Sequence, residues 1–335
     1  IVEYDPLGMP TAVVFEYDKR RRLIHEMRTP SGNVPGYDIA YEYDDGRNRT
    51  KKIDNLGRSE IRYHYDLENP ATYGSKNNRL MFYKEFDTTR PGAPGDPGAL
   101  LSTTWYYYFH GEDGKNSGSV ERVVTKRVAS ATYESTFFAY AKNGRTVTHV
   151  VGEQWNDDGL TACFPLQTHG YVNTFGWEYR YDGARARYAA RALDPARLYM
   201  YLDPKNGWSD YDSDDIYADF TVNTTGPPTT DRRFEPGIGR ADNTGSAYYH
   251  TDHLGTIRGV TNASSAWTEP MAFTAFGERK VGSQNSMNTR FGYVGSFGYQ
   301  ASGEYPFLHV GARYYDPSTG RFLQRDPIGI EGGLN

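Results

Sequence analysis

The chain has 335 residues, among them 29 Tyr and 36 Gly, with 15% aromatic and 24% charged side chains and a formal net charge of −5. The aromatic and glycine content favours strands and tight turns over helices, and the acidic balance excludes the basic face that neutralises nucleic-acid phosphates. A single cysteine, Cys163, excludes an internal disulfide.

The chain opens on Ile1-Val2-Glu3-Tyr4-Asp5, with neither an initiating Met nor a signal-peptide layout, and reads as a fragment. No run approaches the ~18 apolar residues of a transmembrane helix. Aromatic-x-Tyr-Asp or a close variant recurs at Tyr4-Asp5, Phe15-Glu16-Tyr17-Asp18, Tyr41-Glu42-Tyr43-Asp44, Tyr63-His64-Tyr65-Asp66 and Tyr179-Arg180-Tyr181-Asp182. The steps from Asp18 to Asp44 and from Asp44 to Asp66 suit one hairpin per repeat. Aromatic and polar residues alternate before each Asp, as in Ile61-Arg62-Tyr63-His64-Tyr65, which is the period of a half-covered strand. Asp then ends the strand by bonding backbone two residues on, and Gly46 or Gly57 is expected to supply the positive φ of the turn.

Further along, Pro91-Gly92-Ala93-Pro94-Gly95-Asp96-Pro97-Gly98 is expected to be an exposed irregular loop. Thr104-Trp105-Tyr106-Tyr107-Tyr108-Phe109 resumes a strand with cover on both faces. Ala186 to Ala196 is the place for a short helix. Asn206-Gly207 through Asp215, and Thr224 through Thr230, carry loop composition. One-sided hairpins bury their apolar face only when neighbours extend the sheet, so the repeat predicts an antiparallel, all-β ribbon.

The last ninety residues concentrate the motifs: Tyr248-Tyr249-His250-Thr251-Asp252-His253-Leu254-Gly255, then Arg313-Tyr314-Tyr315-Asp316-Pro317, then Gly320-Arg321-Phe322-Leu323-Gln324-Arg325-Asp326-Pro327-Ile328-Gly329. Asp316-Pro317-Ser318-Thr319-Gly320 is turn chemistry between two aromatic strand pieces. In their order and spacing these motifs resemble the core segment that closes RHS-repeat (YD-repeat) proteins. The resemblance is strong from about Ala247 to Asn335 and weaker over residues 1–66. It divides the chain into a repeat region, 1–246, and a core segment, 247–335.

The resemblance implies a curved or spiralling sheet, part of a hollow β-shell, from a secreted or cell-surface toxin or effector. Its partners would be its own C-terminal toxin or effector domain, the remainder of the shell, and secretion or delivery components. No cofactor or metal is implied. RHS proteins and insecticidal toxin C subunits commonly cut themselves after this core with paired carboxylates, one ionised to activate water and one protonated to donate. Here Asp326 is the matching downstream residue. The upstream position falls on Ser302, so Glu304 is the candidate replacement, and Arg313 is placed to hold a carboxylate or a peptide oxygen. Glu331-Gly332-Gly333-Leu334-Asn335 matches the family's stretch at the scissile bond, which puts cleavage at Leu334 and Asn335.

Other chemistry is thin. His250-Thr251-Asp252-His253 lacks a second cluster of metal donors, and Leu254-Gly255 with Arg258 on a returning strand makes it a turn. No Gly-x-Ser-x-Gly elbow occurs, and Asp242 stands where a dinucleotide fingerprint after Gly237-Ile238-Gly239 needs its last Gly. Three functions stay open: a structural shell, a self-cleaving aspartyl protease, and an extracellular adhesion or carbohydrate-binding module.

Overall fold

A computed structural model describes residues 2–4, 10–32, 34–66, 78–110, 116–131, 133–140, 146–154, 172–181, 187–193, 204–212, 215–221, 229–280, 290–301 and 306–326. The fold is all-β and antiparallel, as the alternation predicts. Among the described residues helix is confined to a 3-10 turn at Gly295–Phe297.

The first ten strands are β1 (Val2–Tyr4), β2 (Pro10–Tyr17), β3 (Leu23–Arg28), β4 (Tyr37–Tyr43), β5 (Arg49–Asp54), β6 (Ser59–Tyr65), β7 (Leu80–Asp87), β8 (Ala99–His110), β9 (Asn116–Arg127) and β10 (Tyr133–Tyr140). Each pairs antiparallel with the next, a meander without crossovers. After β11 (Thr146–Gln154) come β12 (Val172–Tyr181), β13 (Arg187–Leu193), β14 (Pro204–Asp212), β15 (Asp215–Thr221), β16 (Thr229–Glu235), β17 (Gly239–Asp242), β18 (Gly245–Thr251), β19 (Ile257–Asn262) and β20 (Trp267–Pro270). From β12 to β20 each strand again pairs with its successor. A separate small sheet holds β21 (Gln300–Ala301), β22 (Leu308–Val310), β23 (Arg313–Asp316) and β24 (Arg321–Phe322). The chain forms two compact units, Ile1–Phe137 with Val151–Asn173, and Phe138–Val150 with Thr174–Asn335.

In the first unit the repeat explains its own residue types. Along β4, Tyr37, Ile39 and Tyr41 are buried while the residues between them are not, the period of a strand with one covered face. The hydroxyls explain why Tyr rather than Phe precedes Asp44 and Asp66. Tyr43 donates to the Leu23 carbonyl at 2.8 Å and Tyr65 to the Arg49 carbonyl at 2.9 Å. Tyr108 does the same to the Leu80 carbonyl at 2.8 Å. Each acceptor is the first residue of the strand preceding the donor's own, so the ring fills the core and its polar tip pins the neighbouring strand.

Asp18 and Asp44 open three-residue loops. The Asp18 N–H donates to the Arg22 carbonyl, the Asp18 carbonyl accepts from Arg21, and Asp18 Oδ1 accepts the backbone N–H groups of Arg20 and Arg22 at 2.8 and 2.9 Å. Asp44 repeats this with Asn48, whose backbone N–H and side-chain amide reach its two carboxylate oxygens at 2.8 and 2.7 Å. These are type I turns followed by a left-handed residue, a common hairpin solution. The left-handed positions are Arg21 (φ 61) and Arg47 (φ 69), not the glycines. The expectation for Gly46 and Gly57 is therefore corrected: positive φ falls one residue later, on Arg47 and Arg58 (φ 53).

The Pro91–Gly98 segment is irregular and largely exposed, as expected, and the Thr104–Phe109 stretch lies within β8. Two expectations fail. Within the span where a helix is expected, Ala186–Ala196, the described residues 187–193 are instead β13, whose Ala190 and Ala192 lie in register with Tyr179 and Trp177 of β12. Strand partners on both sides override the local alanine preference. Of the loop expected over Asn206–Asp215, residues 206–212 lie in β14 and Asp215 opens β15, with Trp208 opposite Phe220, and residues 213–214 lie outside the described residues. Thr229 and Thr230 open β16, and residues 224–228 lie outside the described residues.

Candidate functional site

The core segment starts with the same turn device. Asp252 Oδ1 accepts the backbone N–H groups of Leu254 and Thr256 at 2.9 and 3.0 Å, and its Oδ2 accepts Arg258 Nε at 2.8 Å from β19. Gly255 (φ 73) holds the left-handed place. His250 Nε2 lies 2.9 Å from Thr261 Oγ1. The stretch from His250 to His253 is thus built as a strand end and turn. Asn262 repeats the motif, accepting from Ser264 and Ala266 at 3.0 Å each, with Ser265 at φ 61.

Below these hairpins lies an apolar cluster of Phe234, Tyr249, Ile257, Val260, Met271 and Phe291. It carries the Gly295–Phe297 turn, because the Ile257 N–H donates to the Gly292 carbonyl at 2.8 Å and the Ser296 N–H to the Gly255 carbonyl at 3.0 Å. Tyr293, Tyr299 and Tyr315 gather beside it with ring centroids 6.1 to 6.4 Å apart. Burial raises the Tyr299 hydroxyl above its ordinary pKa while Arg313 pulls it the other way. Tyr315 and Tyr293 anchor the small sheet's surroundings, donating to the Phe276 and Ala275 carbonyls at 2.9 and 2.8 Å.

The turn at Asp316-Pro317-Ser318-Thr319-Gly320 forms between β23 and β24 as its composition requires. Asp316 is 1% exposed, and its Oδ1 accepts the Ser318 backbone N–H and hydroxyl at 2.9 and 2.6 Å. The Gly320 N–H closes the turn on the Asp316 carbonyl at 2.8 Å. Gly320 (φ 71) has a second reason to lack a side chain, since a Cβ there would sit 2.9 Å from Phe276 Cδ1.

This turn brings two sequence-predicted residues together. Arg313 Nη1, on β23, lies 3.1 Å from Asp326 Oδ2, just past β24, with both side chains about a quarter exposed (24% and 27%). The guanidinium carbon also lies 3.6 Å from the Phe322 ring centroid. Arg313 is therefore clamped between a ring and a carboxylate, which fixes where the chain leaves the sheet. Glu304, Leu334 and Asn335 lie outside the described residues, as does Ser302.

Sequence reasoning missed Gln324. Only 4% exposed, it accepts the Tyr314 N–H through Oε1 at 2.5 Å, and its amide lies 3.5 Å from the Tyr140 hydroxyl. The Leu323 N–H donates to the Tyr314 carbonyl, so the side chain and backbone of adjacent residues hold both backbone polar groups of Tyr314. A lone Gln after Phe322-Leu323 is the only trace of this in the sequence.

No protein-family model matches the chain. Over 89 residues, 26% of this chain, it is 30% identical to Double-stranded DNA deaminase toxin A of Burkholderia cenocepacia (strain H111). Part of the chain is thus similar to part of a toxin. Among solved structures, TcdB2-TccC3 aligns over 100% of this chain with a TM-score of 0.43 and 16% identity. A Photorhabdus luminescens Tc holotoxin pore aligns over 100% with a TM-score of 0.40 and 15% identity. The chain spans 6% of the deaminase toxin and 19% of the TcdB2-TccC3 chain. No helix among the described residues is long and apolar enough to cross a membrane.

Proposed function

We propose that this chain is part of the wall of an RHS-type shell that encloses a C-terminal toxin or effector domain until delivery, in a secreted or cell-surface protein. The observation that carries the reading is the Tyr-Asp hairpin. In the repeat region the hydroxyls of Tyr43 and Tyr65 pin the preceding strand and the carboxylates of Asp18 and Asp44 close the turn, and the same turn recurs at Asp252 and Asn262 in the core segment. A sheet of unlimited length made from one local device leaves open edges, and wrapping it around a cargo removes them. The local identity to a toxin agrees with that role. Residues 247–335 act as the stopper.

Self-cleavage after the stopper belongs to the same proposal. Asp326 is its carboxylate, Arg313 its positioning cation, Glu304 the candidate second acid, and the Leu334–Asn335 bond its target. Hydrolysis adds one water across that peptide bond, leaving a carboxyl on Leu334 and an amine on Asn335. The test is a chain continued past Asn335 into its natural passenger, followed by electrophoresis and intact mass. Cleavage between Leu334 and Asn335, abolished by Asp326→Asn, supports the protease. An uncut product leaves the wall alone, and protease digestion of a passenger that stays protected in the uncut protein supports the shell. A passenger digested as fast as the free domain overturns it.

A further inference from the structure

One side chain sets the register of the strand that leaves the small sheet. Gln324, 4% exposed and two residues before Asp326, accepts the Tyr314 N–H through Oε1 at 2.5 Å. Arg313, next to Tyr314 on β23, has its Nη1 3.1 Å from Asp326 Oδ2. Two neighbours on β23 are thus met by two alternate residues of the departing chain. A slip by one residue would carry Gln324 off the Tyr314 N–H and Asp326 off Arg313 in the same movement.

The far end of the same carboxamide reaches a distant part of the chain. Gln324 Nε2 lies 3.5 Å from the Tyr140 hydroxyl, between residues 184 apart in sequence. The buried Phe138 stacks on Tyr140 at 6.4 Å and lies 6.0 Å from Phe307 and 6.2 Å from Tyr314, ring centre to ring centre. His309 flanks Tyr314 from β22 at 5.5 Å. Residues 138–140 and the core segment belong to one compact unit. Loop closure makes a contact of this span costly to form first, so Tyr140 reaches Gln324 once the chain between them has folded.

We infer that Gln324 is a positioning residue through which docking of Tyr140 switches on the Asp326 site, an inference that rests on the self-cleavage proposed above. A carboxamide has one accepting and one donating end. With the Tyr140 hydroxyl taking a bond from Nε2, Oε1 is left facing Tyr314, so the departing strand is locked and Asp326 is held at Arg313. Without Tyr140 the amide turns either way, and its NH2 group facing the Tyr314 N–H sets donor against donor. Asp326 then loses its fixed place, and the passenger stays attached. Cutting is in this way delayed until strands far upstream are built, which keeps the passenger from leaving an unfinished wall.

The test uses the full chain with its natural passenger, made by cell-free synthesis, with cleavage followed by electrophoresis. Tyr140→Phe removes the hydroxyl alone and is expected to slow cleavage roughly tenfold or more while the thermal midpoint stays where it was. Gln324→Glu, whose carboxylate accepts from both the Tyr314 N–H and the Tyr140 hydroxyl, is expected to keep most of the rate, and Gln324→Leu to lose it. Cleavage at the parent rate in both Tyr140→Phe and Gln324→Leu overturns the inference, as does slowing that only follows a fallen thermal midpoint. If the parent chain itself stays uncut, the protease reading falls separately, and hydrogen exchange in the segment containing Tyr314 decides the inference. Exchange quickened by Tyr140→Phe supports the link from Tyr140 to the departing strand, and exchange unchanged by both variants overturns it.

Discussion

The Tyr43 hydroxyl donates to the Leu23 carbonyl at 2.8 Å, across from one strand to the first residue of the strand before it. Arg22, next to Leu23, stacks on the same Tyr43 ring at 5.0 Å and donates from Nη1 to the Asp44 carbonyl at 2.7 Å. Asn48 and Asn78 exchange side-chain amide bonds at 2.5 and 2.7 Å. Successive turns along this edge are therefore tied to one another, which turns a chain of separate hairpins into one mechanical row.

Removing one hydroxyl should be felt locally. Tyr65 is 4% exposed, and Tyr65→Phe leaves the Arg49 carbonyl without that donor. The expected loss is about 1 kcal/mol, seen as a lower urea midpoint. Tyr17, 59% exposed, is the control, and Tyr17→Phe should change nothing measurable.

The turn carboxylate should matter more than the residues between its ends. Asp44→Ala removes the acceptors for the Asn48 backbone N–H and side-chain amide. Stability should fall by about 1 to 3 kcal/mol, and hydrogen exchange should quicken at Arg47 and Asn48 first. Asp44→Asn, which keeps an acceptor, should recover part of the loss.

Gly277, like Gly255 and Gly320, combines positive φ with close packing. Its φ is 88, and a Cβ would meet the Tyr293 ring at 2.6 Å. Gly277→Ala should cost at least about 2 kcal/mol, from left-handed strain and overpacking together. Ser265→Gly, at an exposed turn with φ 61, should be neutral or slightly stabilising. Thermal unfolding of the two variants checks the contrast.

Gln324 holds the Tyr314 N–H in the small sheet. Gln324→Leu preserves volume and strands that buried donor, so a loss of about 1 to 3 kcal/mol is expected. Near-ultraviolet circular dichroism should report loosening of the Tyr293, Tyr299 and Tyr315 cluster before the long sheets melt.

Acid should attack the turns. Hydrogen bonds from Thr89, followed by Arg90, hold Asp87 down to about 2 from an ordinary 3.8. Asp38, bonded by Asn55 and then His25, and Asp242, bonded by Thr244, are also lowered. A carboxylate lowered on folding stabilises above its unfolded value and loses that contribution as pH falls through the folded one. For Asp87 the loss should run from 3.8 down to about 2, and Asp87→Asn should flatten the acid limb of thermal stability in that window.

Much of this was legible in the sequence, for identifiable reasons. Tyr43-Asp44 and Tyr65-Asp66 announce strand ends because the carboxylate competes for nearby backbone donors, a local effect. The left-handed role of Arg47 was hidden, because the Asp44 bonds hold the loop closed and offset a cost that Gly46 would have avoided one residue too early. Residues 187–193 run the other way: their helical preference is set within the segment, while the partners that make them a strand, β12 and β14, lie outside it. The Arg313–Asp326 pair was within reach, since a guanidinium in a stretch with few other candidates is placed to hold a carboxylate. Gln324 was not, since nothing nearby in sequence marks the Tyr314 N–H as the group it serves.

The most direct measurement is an electron cryomicroscopy map of the uninterrupted reading frame that contains these residues. The Tyr-Asp hairpins and their counterparts, from Asp18 to Asn262, are expected edge to edge in one wall around a lumen holding C-terminal density. Hairpins distributed among separate compact bodies, or a wall with no enclosed space, would contradict it.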